Sequence, residues 1–457
     1  MASTKIQRTL GQNGNSGKLT ISVWVKKAGL GEQGICGSWY SGVFHGILYF
    51  NYQDQLTFYD YRNAYIMRKV TNAQFKDVGA WYHIVCNFDH TLSSPTGKIY
   101  VNGVEQTLST DVNYTQGSAS SWLTDYPFNI GTYDGGSNYF NGNMSDFYFI
   151  QGQVYSPSTF GETDATTGIW KPKTEVTVDY SSTGNNSCHL KFENSSNMDL
   201  DSGDNNLTFT TSGNLIQTVD TPSNNFATFN PLWRARVNNI DLPTYMSNGN
   251  TTFNSQGDDT RLAYFASTLG VTSGKWYWEI KSQSGSGGGL GVCYESMQSN
   301  TNAQFWDNSA LLGCAIKCDG NYFNGKSGEN AGALGVTYSE GDIYGFALDM
   351  DNYALYAHIN GTYVNSGVPT SGASRTGSLL NLLASGLAYL NSGEPVFPFF
   401  ADLSAGSHAE LKVNFGNGYF GTTPVASAGS NGNGAIFEYD VPTGYYALNT
   451  KNLATYG

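Results

Sequence analysis

Among the chain's Asn-Gly pairs, two that follow strand-like runs constrain it more than any other local feature: Asn102-Gly103 follows KIYV, and Asn360-Gly361 follows YAHI. A type I′ turn needs positive φ at both central positions, so Asn-Gly after an apolar run predicts a tight β-hairpin. Alternating runs surround both pairs. In LTISVWV, Leu19, Ile21, Val23 and Val25 share one strand face, opposite Trp24. In WYHIVCNF, Tyr82, Ile84, Cys86 and Phe88 form the more apolar face and are expected to face the core, with Trp81, His83, Val85 and Asn87 opposite. MSDFYFI (144–150) closes this first β-rich stretch, and Ser156-Pro157 predicts one helical turn with Ser as cap and Pro at its first position.

Strand patterns return in the second half as GKWYWEIK (274–281), GLGVCYE (289–295), ALLGCAIKC (310–318), PVFPFFADL (395–403) and AELKVNFG (409–416). One stretch departs from them. Leu379, Leu380, Leu383, Leu387 and Leu390 recur at helical spacing, which predicts a short amphipathic helix over 378–391 interrupted by Gly386. Between the halves, 174–232 is rich in Asn, Ser, Thr and Asp, with one strand-like island, CHLKF (188–192). It reads as an ordered strap or linker.

Composition supports an all-β chain. The 457 residues include 55 Gly, 31 Tyr, 25 Phe and 9 Trp, but only 13% are charged. That is too aromatic for a disordered chain and too poor in charge for helical bundles. The length predicts roughly two to four domains. No run approaches the ~18 apolar residues of a membrane helix, so membrane insertion is not expected. A net charge of -13 repels nucleic acid and anionic lipid. The start, MASTKIQRTLGQNGNSG, shows no apolar secretory core.

Reactive constellations are hard to find. Cys36, Cys86, Cys188, Cys293, Cys314 and Cys318 contain no Cys-x-x-Cys pair and read as buried thiols. Cys314 and Cys318 on one strand would lie roughly 13 Å apart, too far to bridge. His45, His83, His90, His189, His358 and His408 are too scattered for a metal set. Glu162-Thr163-Asp164 reads as a solvated loop, and Asp349-Met350-Asp351 as the start of a turn. GSGGGLG (285–291) lies between strands, so it lacks the helix N-terminus of a phosphate cradle. No Glu-x-Asp-x-x-Glu strand of the glucanase type occurs. The chain is not expected to be an enzyme.

TISVWVKK, AWYHIVCNFD…GKIYVNGVEQ and YFNGNMSDFYFIQGQVYSPSTFGE resemble the laminin-G/concanavalin-A-like jelly rolls. SGKWYWEIK, GDIYGFALDMDN…INGTYV and PVFPFFADLSAG…LKVNFG resemble SPRY domains. TTGIWKPK, DTPSNNFATFNPL and YDVPTGYYALNTKNL, in that order, resemble structural proteins of tailed phages, mostly marine ones. These resemblances imply two antiparallel β-sandwiches: a jelly roll over 1–175, a strap over 176–224 and a SPRY-like unit over 225–457. Laminin-G-like units usually open with an apolar-x-Phe-Asp-Gly strand that is missing here. Residues 188–211 are therefore expected to fold back and complete the first sheet.

The family implies a protein on the virion exterior, assembled in the host cytoplasm, as a tail fibre, capsid fibre or decoration. Its expected partners are other virion proteins, a host-surface glycan or protein, and further copies of itself, a trimer being the usual fibre assembly. A capsid cement protein and a polysaccharide-cleaving enzyme are the competing readings. Lectin-like sandwiches hold sugars at loop rims by ring stacking and polar side chains. The ring-rich loop segments carry Trp39, Tyr40 and His45; Trp122, Asp125 and Tyr126; Tyr133, Asp134 and Tyr139; and, in the second unit, Trp306, Asp307 and Tyr322. No cofactor is expected. Because related jelly rolls bind Ca²⁺, Asp125 or Asp134 is where the resemblance would place that ion.

Overall fold

The computed structural model describes residues 4–11, 17–182, 184–233, 245–255, 263–284, 288–299, 313–317, 320–324, 332–336, 339–383, 386, 389–402 and 409–457. The chain is all-β and divides into two compact units, 1–217 and 218–457.

The first unit runs through β1 (Lys5–Thr9), β2 (Lys18–Lys27), β3 (Gln33–Ser41), β4 (Phe44–Phe50), β5 (Gln55–Arg62) and β6 (Tyr65–Gln74). Next come β7 (Trp81–Asp89), β8 (Thr96–Val101), β9 (Val104–Glu105), β10 (Leu108–Val112), β11 (Pro127–Ile130) and β12 (Gly142–Gln151). Four short strands finish it: β13 (Gly161–Thr163), β14 (Trp170–Pro172), β15 (Cys188–Leu190) and β16 (Thr210–Ser212). They form an eight-stranded sheet, β10-β6-β5-β4-β3-β11-β1-β16, and a six-stranded sheet, β15-β12-β2-β7-β8-β9. β13 and β14 pair separately. The alternation read from sequence fills the space between the sheets: Ile21, Val23, Ile84, Cys86 and Phe88 meet Cys36, Leu48, Phe50 and Phe58 in one apolar core.

Residues 176–217 lie within this unit. β15 pairs antiparallel with β12, and β16 pairs with β1, so the segment adds an edge strand to each sheet. The outer face of the six-stranded sheet is covered as well. Tyr155, Phe160, Val176, Val178 and Tyr180 pack on Val85, Tyr148 and Ile150. Trp170 stacks on His83, with centroids 6.0 Å apart. Strand β7 is therefore buried on both faces, which its alternation did not predict. Pro157–Thr159 forms the expected single turn with Pro first, but the Ser156 hydroxyl bonds Ser158 Oγ and does not cap it.

Both Asn-Gly hairpins form. Asn102 and Gly103 have φ of 49° and 82°, and Asn360 and Gly361 have 48° and 83°. In each, the Asn side-chain oxygen accepts a backbone N–H from a neighbouring strand, His83 N at 2.8 Å and Ile343 N at 2.9 Å.

The second unit also stacks two sheets. One runs Met246–Ser247, Thr252–Asn254, Glu410–Asn414, Lys275–Ser284, Ile343–Asp349, Ala354–Ile359, Thr362–Tyr363. The other runs Ala263–Ala266, Val396–Asp402, Gly288–Tyr294, Gly313–Lys317, Asn321–Asn324, Gly332–Ala333. Trp276, Trp278 and Ile280 alternate into the core, meeting Phe265, Leu290, Val292 and Phe400. The helix expected over 378–391 does not form. Leu379–Leu382 is a 3₁₀ turn capped by Ser378, and Leu383 is already extended at φ -104°, ψ 143°. Leu379, Leu380, Leu383 and Leu390 are nevertheless buried, so burial, and not a helical period, accounts for the spacing. Leu387 lies outside the described residues.

Candidate functional site

The two outer faces of the first unit differ. The six-stranded sheet carries the strap, whereas the eight-stranded sheet leaves a row of rings partly open. Strand register explains the row, because paired residues of antiparallel neighbours share a face. Trp39 pairs with His45, His45 with Tyr61, and Tyr61 with Tyr65, which sets four rings across β3, β4, β5 and β6. The next row holds Gly37, Ile47, Tyr59 and Arg68, and a third holds Gly34, Tyr49, Thr57 and Val70.

The rings touch continuously. Trp39 stacks on His45 at 4.4 Å and 21°, and His45 on Tyr61 at 5.1 Å and 18°. Tyr65 meets Tyr59 and Tyr61 edge-on at 5.3 and 5.1 Å, and the Arg68 guanidinium lies 4.6 Å from the Tyr65 ring centroid. Tyr65 is 44% exposed, while Trp39, Tyr49 and Tyr61 are half-buried.

Gly34 and Gly37 make room for one more ring. The loop 131–141 crosses β3 there: a Cβ on Gly37 would sit 2.7 Å from Tyr133 O, and one on Gly34 would sit 2.7 Å from Tyr133 N. Tyr133 thereby reaches Tyr49 at 5.5 Å and Trp39 at 6.4 Å. Its hydroxyl donates to Glu32 and accepts from the Asn138 amide. Burial, then the neighbouring Glu32 carboxylate, raises the Tyr133 pKa, so the phenol stays a donor. His45 Nδ1 donates to Ser41 O at 3.1 Å, and burial lowers the ring's pKa. Its Nε2 is therefore an acceptor.

The structure thus brings Trp39 and His45, of one hairpin, together with Tyr133 from a distant part of the sequence. Tyr40, 63% exposed, stacks with Tyr126 at 4.9 Å. Asp125 is exposed and Tyr139 half-buried. Trp122 is misplaced by the sequence reading: it is fully buried, fills the space above Gly46, and donates Nε1 to Tyr59 O at 3.0 Å. Tyr322 is partly buried, its hydroxyl 3.5 Å from Leu382 O. Trp306 and Asp307 lie outside the described residues. The sequence reading missed Tyr49, Tyr59, Tyr61, Tyr65 and Arg68, although the run YDYRNAYIMR (59–68) already places Tyr59 and Tyr61 at strand alternation.

Asp134 does not fit a calcium site. Its Oδ1 accepts from Gly136 N and Ser137 N, and its Oδ2 accepts from Ser137 Oγ, so the carboxylate closes its own loop. Among the described residues no three His, Cys, Asp or Glu side chains converge on a metal position.

One contact superficially suggests catalysis: Ser22 Oγ lies 2.9 Å from His83 Nε2. Trp170 Nε1 donates to His83 Nδ1 at 2.9 Å, which places the ring proton on Nε2. His83 therefore donates to Ser22 and cannot take its proton. Burial also lowers its pKa to about 3. Asp349 and Asp351 serve the turn: Asp349 accepts from Asn352 N and pairs with Lys275 at 2.9 Å, and Asp351 accepts from Gly274 N.

Residues 3–158 match the concanavalin A-like lectin/glucanases superfamily (Laminin_G_3). The first unit is concanavalin-A-like. Among solved structures, the chain is similar to the SPRY domain of human HERC1, with 17% identity and a TM-score of 0.28 over 40% of this chain and 96% of that one. It is also similar to the native heptameric SAP-like pentraxin from Limulus polyphemus, with 18% identity and a TM-score of 0.25 over 33% and 71%. Comparison with curated proteins gives no match.

Proposed function

We propose that this chain is an adhesion protein that holds glycan on the ring-covered outer face of its first unit. The observation that carries the reading is the contrast between that unit's two outer faces. Tyr155, Phe160, Trp170 and Tyr180 cover one, while Trp39, Tyr61, Tyr65 and Tyr133 remain partly open on the other. The half-exposed row presents ring edges and phenol hydroxyls for apolar and hydrogen-bonding contact with a sugar, and Arg68, His45 Nε2 and the Asn138 amide add polar contacts. The lectin-like architecture suits carbohydrate or protein binding.

The proposal extends to location and mode of action. The protein works by adhesion without turnover, on the exterior of a tailed-phage particle, in a homo-oligomer alongside other virion proteins. The sequence resemblance in TTGIWKPK, DTPSNNFATFNPL and YDVPTGYYALNTKNL supports the phage setting. Repetition on a particle would convert weak single contacts into useful avidity. Two measurements test the proposal. Glycan-array binding of the full chain should fall about tenfold in Trp39→Ala and Tyr65→Ala, equal to ~1.4 kcal/mol; unchanged binding removes the ring face from the mechanism. Mass spectrometry of purified particles should detect the chain, and its absence would end the virion reading.

A further inference from the structure

Charge is distributed unevenly over the open face of the first unit. The three paired rows across β3, β4, β5 and β6 hold no Asp or Glu, and Arg68 is their one Lys or Arg. The chain carries 36 Asp and Glu against 23 Lys and Arg, so composition alone would favour acids there. Arg68 is also unanswered. Among the described residues it makes no ion pair and no hydrogen bond, and the residue paired with it on β10 is Val112. Its neighbours in this unit are treated differently: Lys69 pairs with Asp111, Lys27 with Asp54 and Lys98 with Glu105. The acids that approach from the β3 side are already engaged. Glu32 accepts from Tyr133 Oη, and Asp134 from Ser137 and Gly136.

Ring packing adds a second, independent observation. Trp39, His45 and Tyr61 stack on one another, so their faces cover each other and their edges point outward. The edge is the positive end of an aromatic quadrupole. Burial raises the pKa of the Tyr49 and Tyr59 phenols, so both hydroxyls stay protonated donors. The Arg68 charge opposes the rise at both, which places it beside them. Stacking on Tyr65 at 4.6 Å fixes the guanidinium plane, and Nε is buried, so Nη1 and Nη2 form the outward fork. Ring edges, phenol donors and an unanswered fork together complement a carboxylate, whose two oxygens accept a bidentate pair. The net charge of -13 repels anions from the molecule as a whole, so a preference for one must arise locally.

We propose that the glycan held on this face is acidic, with its carboxylate on the Arg68 fork and its sugar ring against the edges of Tyr61 and Tyr65. The inference rests on the adhesion face proposed above and names its ligand class. Uronates and sialates share the carboxylate. Ligand-observed NMR titration of the full chain tests it with matched pairs in NaCl-matched buffer: methyl β-glucuronide against methyl β-glucoside, and sialyllactose against lactose. In at least one pair the acid should bind about tenfold more tightly than its neutral partner, and that pair identifies the sugar. Arg68→Gln should erase the preference, while Arg68→Lys, which keeps the charge without the fork, should retain about threefold. Trp39→Ala should weaken acid and neutral sugars alike. Melting temperatures within a few degrees of the parent confirm that the variants fold. Equal binding of acid and neutral sugars that still falls in Trp39→Ala overturns the acidic assignment and keeps the adhesion face. An acid preference that survives Arg68→Gln overturns the assignment too. So does the absence of saturable binding by both acids, while the glycan array decides the face separately.

Discussion

Trp122 shows how far a single side chain can be read from its neighbours. The segment SSWLTDY resembles a ring-bearing rim loop, yet the ring occupies the inner face above Gly46, 5.4 Å from Phe58. What hid this from the sequence is a long-range fit: the absent Cβ of Gly46 and the Tyr59 carbonyl together make the slot. Trp122→Ala should cost about 3–5 kcal/mol in urea unfolding. Gly46→Ala should also destabilise, because its Cβ would lie 2.5 Å from Trp122 Nε1. Glu279 gives a second residue-scale test. Burial raises its pKa to about 7, with the N–H donors of Glu438 and Tyr439 and the Tyr277 hydroxyl opposing the rise. A carboxyl group whose folded pKa is raised favours folding most when protonated. Its contribution is therefore fully present below about 4.5 and lost as pH rises through about 7. In Glu279→Gln, thermal melts at pH 5 and pH 8 should differ less than in the parent. The variant should also be less stable at pH 5, since its amide nitrogen would face a backbone N–H.

At the scale of elements, strands and turns were legible and coverings were not. Alternation in β2 and β7 and the two Asn-Gly pairs depend on neighbours a few residues away, so they could be read locally. The covering of the six-stranded sheet depends in part on Val176, Val178 and Tyr180 packing on β7 and β12, in a stretch that composition alone presents as a polar linker. The candidate site was half legible for the same reason. Trp39 and His45 share one hairpin, but Tyr65 joins them only through the β4-β5-β6 register, and Tyr133 only because β3 carries glycine at 34 and 37. This last dependence predicts that Gly37→Val displaces the loop 131–141 while leaving the inner face of β3 unchanged. Glycan binding should weaken about tenfold with a melting temperature within a few degrees of the parent. A large loss of stability with intact binding would show that the loop is held elsewhere.

For the molecule as a whole, the decisive question is where one folding unit stops. Composition draws a break near 175, where the Asn- and Ser-rich stretch begins, but physical contacts continue to 217. Beyond 175 the chain still supplies Cys188 and Leu190, both buried in the first core, together with Phe209. Asp201 ties the excursion together by accepting from His189 N, Gly203 N and Leu207 N. β15 covers the open side of β12 and β16 covers that of β1, so cutting at 175 would expose two strand edges at once. It would also remove Leu190 and Phe209 from the interior, where each contributes about 1.5–3 kcal/mol. Against a typical domain stability of about 5–15 kcal/mol, that loss and the two bare edges are enough to favour association over folding. A fragment of residues 1–217 should therefore elute as a discrete folded species with cooperative unfolding, while 1–175 should aggregate or melt far lower. Equal stability of the two fragments would mean that 188–212 rests on the sheets without supporting them.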